Sequence, residues 1–450
     1  PMRTLAESRA ASLEMSPAQF RTLGHQLVDR VADFLEQLPS GPLTRGESPR
    51  QIRALLGNHG LPAHGAAPGE LLEEAATLLF DHSLFNGHPR FWGYVSASPA
   101  PIGVLSELLG AAVNPNVGAW VLSPVASEIE AQVVRWVAEL INFPATCGGL
   151  LVSGGNMANF IGFLAARRAK AAWDLRATGV RGSSKPLTAY ASTECHTWIK
   201  KAADLFGLGT DAIRWIPVDE SQRMSLSGLE QQIATDRADG LLPFLVIGAA
   251  GTVSTGAIDP LPQIAAVCRR EGLWFHVDGA YGAPAAALPE APADLKGLAE
   301  ADSVALDPHK WLYSPLEAGC TLVRDPRHLH EAFSFSANYY QFDGSDDDPR
   351  LNYYEIGPQN SRGFRALKVW LGLRHAGREG QIAMIRDDIA LSKAMFQAVG
   401  GNAELEALTR SIRQFGFVQP VLARSEDRVV IGGHQRLIAA RRLGYKTVPV

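Results

Sequence analysis

Apolar residues recur every three or four positions through much of the first 142 residues, which is the spacing of one face of an α-helix. This pattern predicts four helices, over residues 17–37, 69–81, 102–113 and 127–142. In the fourth, Ser127 is followed three residues later by Glu130, which predicts a capping box at the start of that helix. The N-terminal part of the chain is therefore expected to be helical.

The pattern changes near residue 148, where short apolar runs ending in glycine or polar residues begin to alternate with helical stretches. Such runs open the segments "GGLLVSGGNMANF", "LTAYASTECHTW", "LWFHVDGAYGAP" and "DSVALDPHKW". Strands that alternate with helices predict an α/β domain with a mainly parallel sheet. In such sheets ligands bind at the carboxyl ends of the strands, and the unusual polar residues lie there.

The composition is that of a soluble globular protein, with 450 residues, 46% hydrophobic and 20% charged, and a net charge of −4. No apolar run approaches the roughly 18–20 residues that a membrane span needs, and residues 1–20 lack an apolar signal-peptide core. The four cysteines are widely spaced and form no CxxC pair, which argues against a disulfide framework. We therefore expect a cytoplasmic protein that does not bind membranes.

Charge is distributed unevenly along the chain. Residues 402–450 contain eight Lys or Arg and four Asp or Glu, a net charge of +4, so the rest of the chain carries −8. This asymmetry predicts two modules of different character.

Two turns that follow predicted strands are candidates for ligand binding. The glycines before and at Gly155, together with Asn156, lie between a strand and a helix, where backbone N–H groups can approach an anion. A plain tight turn explains the same residues equally well. His196 follows the strand "TAYAS" and is either a hydrogen-bonded loop residue or a ring that stacks on a ligand.

An acid and a lysine end two further strands. Asp278 follows four apolar residues in "LWFHVD", so it is a cap, half of a buried salt bridge, or the partner of a protonated ring nitrogen. Lys310 comes 32 residues later, at the end of the next strand, and is either a solvated amine or a desolvated nucleophile. One right-handed crossover would make the two strands neighbours.

Together these residues suggest one cofactor. Pyridoxal phosphate needs a lysine for its aldehyde, an acid that keeps its pyridine nitrogen protonated, and a cradle for its phosphate. An imidazole can cover one face of the ring. Each element alone is ambiguous, but the combination favours this cofactor.

The segments "HVDGAYGAP", "DSVALDPHKWLYSP" and "NSRGFRALKVW" resemble the group II pyridoxal-dependent decarboxylases, which include aromatic L-amino acid and glutamate decarboxylases. The resemblance covers about residues 15–398. It implies the α/β fold type I, aspartate aminotransferase-like, and a homodimer with sites at the subunit interface. The implied domains are an N-terminal helical and dimerisation segment over 1–115, a cofactor-binding domain over 116–375, and the start of a small C-terminal domain over 376–401.

The resemblance also implies roles for residues around the cofactor ring. Lys310 would form the imine with the cofactor, and Asp278 would bond the pyridine nitrogen. Ala280 would pack on one face of the ring, and His196 would stack on the other.

Around the phosphate, the resemblance implies contacts from Gly155 and Asn156, with Asp307 and His309 nearby. Many relatives have serine at the position of Asn156, and relatives often have asparagine at the position of Asp307. An additional carboxylate there is unfavourable for a phosphate unless the carboxylate is paired. Thr252 would line the site.

The implied reaction releases CO₂ and an amine from an L-amino acid. Tyr353 aligns best with the mobile-loop tyrosine that protonates the substrate carbon, and Tyr354 is the near alternative. A phenylalanine at that position often accompanies aldehyde synthesis, so Tyr353 favours decarboxylation. Val95, Ser96 and Ala97 occupy the place of the side-chain pocket, and an aromatic substrate is the first expectation.

Residues 402–450 depart from the decarboxylase pattern. They resemble part of a ParB/sulfiredoxin-like domain, in which the residues that match Gly432, Gly433, His434 and Arg436 approach nucleotide phosphates. Three interpretations follow: a non-functional appendage, a nucleotide- or DNA-binding module, and an inactive decarboxylase scaffold whose small C-terminal domain is truncated or replaced. Nucleic acid is not an expected partner of residues 1–400.

Overall fold

The computed structural model describes most of the chain and separates it into two compact units. The described residues are 12–91, 93–335, 350–399, 422–423 and 430–432. The two units are Pro1–Tyr94 and Val95–Val450.

The first unit is helical, as its periodicity predicts. Its helices are α1 (Pro17–Gln37), α2 (Pro49–Leu56) and α3 (Pro68–His82). Ser16 and Ser48 close capping boxes on α1 and α2, each followed by a proline in the first helical turn. Phe34 of α1 stacks on Phe80 of α3 with the ring centroids 4.5 Å apart. No residue of α1 or α2 is buried, so their apolar side chains remain at the surface of the chain.

The second unit contains a seven-stranded sheet with strand order β1-β7-β6-β5-β4-β2-β3. The strands are β1 (Gly148–Val152), β2 (Leu187–Ser192), β3 (Ile213–Ile216), β4 (Leu242–Ala249), β5 (Trp274–Asp278), β6 (Ser303–Leu306) and β7 (Gly319–Val323). Strand β7 runs in the direction opposite to the other six strands of this sheet. The predicted mainly parallel α/β sheet is therefore confirmed.

Helices and two buried apolar clusters complete this unit. The helices are α4 (Pro101–Val113), α5 (Pro124–Leu140), α6 (Gly155–Lys170), α7 (Leu175–Thr178), α8 (Trp198–Leu205), α9 (Leu226–Ala238), α10 (Leu261–Glu271), α11 (Pro308–Trp311), α12 (Arg327–Phe333) and α13 (Ala366–Val399). Helix α4 packs against α13 within this unit. Among the helices that the structure describes, none is long and apolar enough to cross a membrane.

Strands β5 and β6 are parallel neighbours, as the spacing of Asp278 and Lys310 predicts. Asp278 pairs with Ala305 in the register of the two strands. The connection between them is not an α-helix; it consists of two 3₁₀ segments, Ala283–Ala287 and Ala293–Glu300.

The predicted capping box at Ser127 and Glu130 is wrong, because helix α5 begins earlier, at Pro124. Both residues are buried inside the helix. Glu130 instead forms a fully buried ion pair with Arg362, with Nη2 and Oε1 2.5 Å apart. Its Oε1 also accepts a hydrogen bond from the backbone N–H of Leu151 at 2.8 Å.

Arg362 ties this part of the unit together through its other donors. Its guanidinium donates to the carbonyl oxygens of Leu151 at 2.7 Å and Val117 at 2.9 Å, and it covers the ring of Tyr353 at 4.5 Å. A buried ion pair is expensive to break because the remaining charge is left without a partner. The pair with Glu130 therefore fixes β1 and α5 to the chain that enters α13.

Helix α13 bends at Gly377, whose φ of 67° and ψ of 172° are not helical. The bend falls next to the predicted start of the C-terminal domain at residue 376. Beyond it, 402–450 are described only at Leu422–Ala423 and Val430–Gly432, which pair as short antiparallel strands β8 and β9. Gly433, His434 and Arg436 lie outside the described residues.

Candidate active site

The sheet brings the predicted site residues to one edge. Because β7 is antiparallel to both β1 and β6, strand β1 runs in the same direction as the parallel strands β2, β4, β5 and β6. The carboxyl ends of these five strands therefore meet at one edge. The residues that follow or end them are Gly155, Asn156, His196, Thr252, Asp278, Ala280, Asp307, His309 and Lys310.

The glycine turn after β1 is shaped by close contacts. Helix α6 begins at Gly155, so its first N–H groups have no acceptor within the helix and are open to an anion. A Cβ at Gly155 would lie 2.6 Å from Oδ2 of Asp307 and 3.3 Å from Cβ of Ala280. Glycine is therefore required here by the space that the Asp307 carboxyl group occupies.

A buried chain of hydrogen bonds connects this turn to the middle of the sheet. The Trp274 indole donates to Ser303 Oγ at 2.8 Å, and Ser303 Oγ lies 2.7 Å from Nδ1 of His276. His276 Nε2 lies 2.8 Å from Oδ1 of Asn159, whose Nδ2 donates to the carbonyl oxygen of Gly155 at 2.8 Å. The chain holds α6 in place over β5 and β6.

The hydrogen bonds at the two ends of this network decide which atom is the donor and which the acceptor in the bonds between them. Asn159 uses its amide N–H for Gly155, so its oxygen accepts from Nε2–H of His276, and Nδ1 accepts from the hydroxyl of Ser303. Burial lowers the pKa of His276 to about 4, against the opposing influence of Asp278. His276 is therefore neutral near pH 7 and acts as a structural link.

Asp278 is held by two donors. Its Oδ2 accepts from the indole N–H of Trp198 at 2.7 Å, and its Oδ1 accepts from the backbone N–H of Ala280 at 3.2 Å. Trp198 is fully buried and packs edge-on against His276. The sequence analysis missed Trp198; the available signal was its position at the start of the helix that follows β2.

Lys310 lies on the short helix α11 and pairs with Asp307. Its Nζ is 2.9 Å from Oδ2 of Asp307, which is 2% exposed, and Nε2 of His309 is 3.8 Å from the same oxygen. Burial raises the pKa of the Asp307 carboxyl group although Lys310 and His309 oppose the rise, and Asp278 adds to it. Burial lowers the pKa of His309, whose Nδ1 lies 2.6 Å from the carbonyl oxygen of Ala318.

The turn that carries Lys310 is anchored by Asp388, a second residue that the sequence analysis missed. Oδ2 of Asp388 accepts from the indole of Trp311 at 2.8 Å and from the hydroxyl of Tyr313 at 2.6 Å. Tyr281 stacks on Trp311 with ring centroids 5.2 Å apart. The part of α13 beyond its bend therefore supports the lysine turn directly.

The predicted side-chain pocket approaches the same turn. Val95, Ser96 and Ala97 precede Ala100, whose N–H donates to the carbonyl oxygen of Tyr313 at 2.8 Å. A Cβ at Gly103 would lie 2.4 Å from the Pro315 ring, which shows how closely α4 passes this turn.

The remaining predicted residues differ in exposure. His196 is exposed at the start of α8, and its Nδ1 accepts from the N–H of Trp198 at 3.3 Å. Asn156 is half-buried in the first turn of α6. Thr252 is buried after β4, with its hydroxyl 2.9 Å from that of Thr255.

Tyr353 does not lie where the prediction requires. Its ring is fully buried, its hydroxyl is 3.3 Å from the carbonyl oxygen of Ser127, and burial raises its pKa. Tyr354 is also buried in the same 3₁₀ turn. A hydroxyl held in the core cannot act from a mobile loop, so the assignment of the proton donor to Tyr353 or Tyr354 is wrong.

Comparison with known proteins identifies the family of the chain. The model of the pyridoxal-dependent decarboxylase conserved domain matches residues 49–417. The chain belongs to the pyridoxal-dependent decarboxylases. The match continues past residue 401, where the sequence analysis placed the start of the ParB-like segment, and gives no support to the nucleotide-associated alternative.

Individual members of the family are similar over most of their length. The aromatic-L-amino-acid decarboxylase of Bacillus atrophaeus is 34% identical over 90% of this chain and 82% of its own. The phenylacetaldehyde synthase of Petunia hybrida is 30% identical, covering 88% of this chain and 78% of its own. The structure of Oryza sativa TDC with PLP and tryptamine is 26% identical, covers 91% of this chain and 82% of its own, and superposes with a TM-score of 0.78.

The residues of this decarboxylase fit pyridoxal phosphate, the cofactor of the fold type I family. Lys310 offers an amine and Asp278 a carboxylate at the ends of adjacent strands. The N-terminus of α6 offers N–H groups that have no acceptor within the helix. Oδ1 of Asp307 is buried and has no hydrogen-bond partner among the described residues, so one polar atom of the site is left unsatisfied.

We predict that Trp198→Phe weakens cofactor binding about tenfold, because the hydrogen bond to the Asp278 carboxyl group is lost while a smaller aromatic ring is kept. The turnover number should fall more than KM changes, because Asp278 is then free to rotate away from the cofactor ring. Cofactor affinity is measured by equilibrium dialysis and the kinetics on the loaded enzyme.

The matched control is Trp215→Phe, at a tryptophan that is 36% exposed on β3. It should leave affinity and turnover unchanged. If Trp198→Phe lowers only the unfolding midpoint, Trp198 is a packing residue and the prediction fails.

Proposed function

We propose that this enzyme decarboxylates L-amino acids with an aromatic side chain and releases CO₂ and the corresponding amine. The observation that carries the proposal is the placement of Asp278 at the end of β5 and of Lys310 on the short helix that follows the neighbouring parallel strand β6, at the sheet edge where α6 begins. The likeness to an aromatic-L-amino-acid decarboxylase supports the substrate class.

Separate residues of the site hold the different parts of the cofactor. Pyridoxal phosphate supplies the electron sink that makes loss of CO₂ possible. Lys310 holds its aldehyde carbon, and Asp278, fixed by Trp198, keeps the ring nitrogen protonated. The first turn of α6 holds the phosphate. His196, exposed at the same edge, covers a face of the ring.

An aromatic substrate fits the chain that leads to the lysine turn. Val95, Ser96 and Ala97 bear no charge that would pair with a second substrate carboxylate. The backbone beside them is tied to Tyr313 through Ala100, so this segment lies close to the reacting centre. These features favour tyrosine, tryptophan or phenylalanine over glutamate.

The proposal predicts CO₂ release from aromatic amino acids and little from glutamate or aspartate. Lys310→Ala should abolish both turnover and the absorbance of the lysine-bound cofactor. Lys296→Ala, at an exposed lysine, is the control and should change neither. Absence of CO₂ from every aromatic amino acid in the cofactor-loaded wild type would contradict the proposal.

Aldehyde synthesis is a second candidate reaction for the same site, because the chain is similar to a phenylacetaldehyde synthase. In that reaction the amino acid, O₂ and water give the aldehyde, CO₂, ammonia and hydrogen peroxide. Decarboxylation instead needs a proton donor for the substrate carbon. Because Tyr353 is held in the core, we propose that Tyr339 or Tyr340 is the donor; both lie outside the described residues.

We predict that Tyr339→Phe or Tyr340→Phe shifts the products from amine towards aldehyde and hydrogen peroxide. Tyr353→Phe is the control, and its ratio of products should equal that of the wild type. Amine, aldehyde and peroxide are quantified in the same reaction. An unchanged ratio in both single variants and in the double variant would show that neither tyrosine is the donor.

We infer that the enzyme works as a homodimer. Helix α4 exposes one apolar face, with Leu105, Leu108, Leu109 and Val113 each more than half exposed. Apolar patches of this kind on a soluble chain mark an interaction surface. A second copy of the chain is the occupant that the family resemblance implies.

Leu105→Asp with Leu109→Asp should convert the dimer into monomers, because two charges would be buried in an apolar contact. Sedimentation equilibrium at micromolar concentration measures the mass. The control is Leu205→Asp on α8, a leucine that is 66% exposed. A wild-type monomer, or a double variant that remains dimeric, would refute the assignment of this face.

A further inference from the structure

The Asp307 carboxyl group has two oxygens with different surroundings. Oδ2 lies 2.9 Å from Nζ of Lys310 and is the atom that a Cβ at Gly155 would contact. Oδ1 is buried and has no hydrogen-bond partner in the structure. The carboxyl group therefore lies beside the first residue of α6, where the phosphate of the cofactor is expected, with one oxygen left without a donor.

The charges that face Asp307 come from three elements. Lys310 and His309 approach from α11, and Asp278 faces it from β5. The N-terminus of α6 contributes the positive end of the helix dipole. A phosphate at that N-terminus would add negative charge next to a buried carboxylate, which is unfavourable unless the carboxylate loses its charge.

Protonation would remove this conflict and use the unpartnered oxygen. A neutral carboxylic acid has an O–H donor as well as acceptor capacity, and phosphate oxygens are strong acceptors. The protonated carboxyl group, which lies beside Gly155, can then donate to the phosphate and still accept from Lys310. The raised pKa of Asp307, caused by burial, makes this protonation easier.

We propose that Asp307 binds the phosphate group of the cofactor as a protonated acid, so that cofactor binding takes up a proton. The inference rests on the pyridoxal phosphate site of the proposed function. It also explains how Asp307 serves at a position where relatives often have asparagine. An asparagine amide donates at any pH, whereas the Asp307 carboxyl group donates only when it holds a proton.

The sign of the pH dependence follows from linkage. Because the bound state holds a proton that the free carboxylate lacks, affinity for a phosphate ester falls as pH rises above the pKa of Asp307 in the free site. The limiting slope for one proton is about tenfold per pH unit. An amide at this position gives no such slope.

The experiment compares the wild type with Asp307→Asn. The probe is pyridoxamine 5′-phosphate, which carries the phosphate but no aldehyde and so cannot bond covalently to Lys310. Titration calorimetry gives its Kd from mildly acidic to mildly alkaline pH. The ratio of wild-type Kd to variant Kd should rise with pH, since the titration of the probe itself is common to both proteins and cancels in the ratio.

Two controls isolate the phosphate contact. Unphosphorylated pyridoxamine should show a ratio that does not change with pH. Glu317→Gln removes an exposed carboxylate, 60% accessible, and should keep the wild-type pH dependence for the phosphorylated probe. If the ratio for pyridoxamine 5′-phosphate is constant with pH, the proposal is overturned.

A measurement on the wild type alone covers the case in which Asp307→Asn does not fold. Calorimetry in buffers of different ionisation enthalpy counts protons exchanged on binding at mildly alkaline pH, where the phosphate is already a dianion. Unphosphorylated pyridoxamine is measured in the same way, which accounts for any proton taken up by the ring nitrogen. A larger uptake with pyridoxamine 5′-phosphate than with pyridoxamine supports the proposal, and an equal uptake overturns it. If the wild type binds no pyridoxamine 5′-phosphate at any pH, both the proposed function and this inference fail; binding with a constant ratio removes the inference alone.

Discussion

The active site depends on one buried chain of hydrogen bonds, from Trp274 through Ser303, His276 and Asn159 to the carbonyl oxygen of Gly155. It joins β5 and β6 to the first turn of α6. Since buried polar groups must be paired, every member of the chain has a fixed orientation. The turn at Gly155 is thereby held at a set position relative to β5, which ends at Asp278, and β6, which Asp307 follows.

Two aspartates at this edge of the sheet, Asp278 and Asp307, have different surroundings. Asp278 receives two N–H donors, from Trp198 and Ala280. Asp307 is more deeply buried, has an unpartnered oxygen, and is balanced mainly by Lys310. The two aspartates thus differ in their partners: both oxygens of Asp278 accept hydrogen bonds, whereas among the described residues Oδ1 of Asp307 has no donor.

Parts of the chain far from the sheet edge also hold the site together. Asp388, beyond the bend of α13, receives hydrogen bonds from both Trp311 and Tyr313. The Arg362–Glu130 pair fixes the chain that enters the same helix. The helix that begins the predicted C-terminal domain is therefore part of the support for Lys310.

The sequence by itself determined the α/β class, the position of Lys310, Asp278 and Gly155 at strand ends, and the chemistry that these residue types share. These features are local, because the formation of a strand, turn or helix depends mainly on neighbouring residues. Only the tertiary structure decided that Trp198 meets Asp278, that Asp388 anchors the lysine turn, and that Glu130 is no cap. Likewise it placed Tyr353 in the core, where the sequence favoured a loop. Each of these outcomes depends on contacts with segments that are distant along the chain. Hydrophobic periodicity describes only neighbouring residues, so it does not predict which distant residue a side chain will contact.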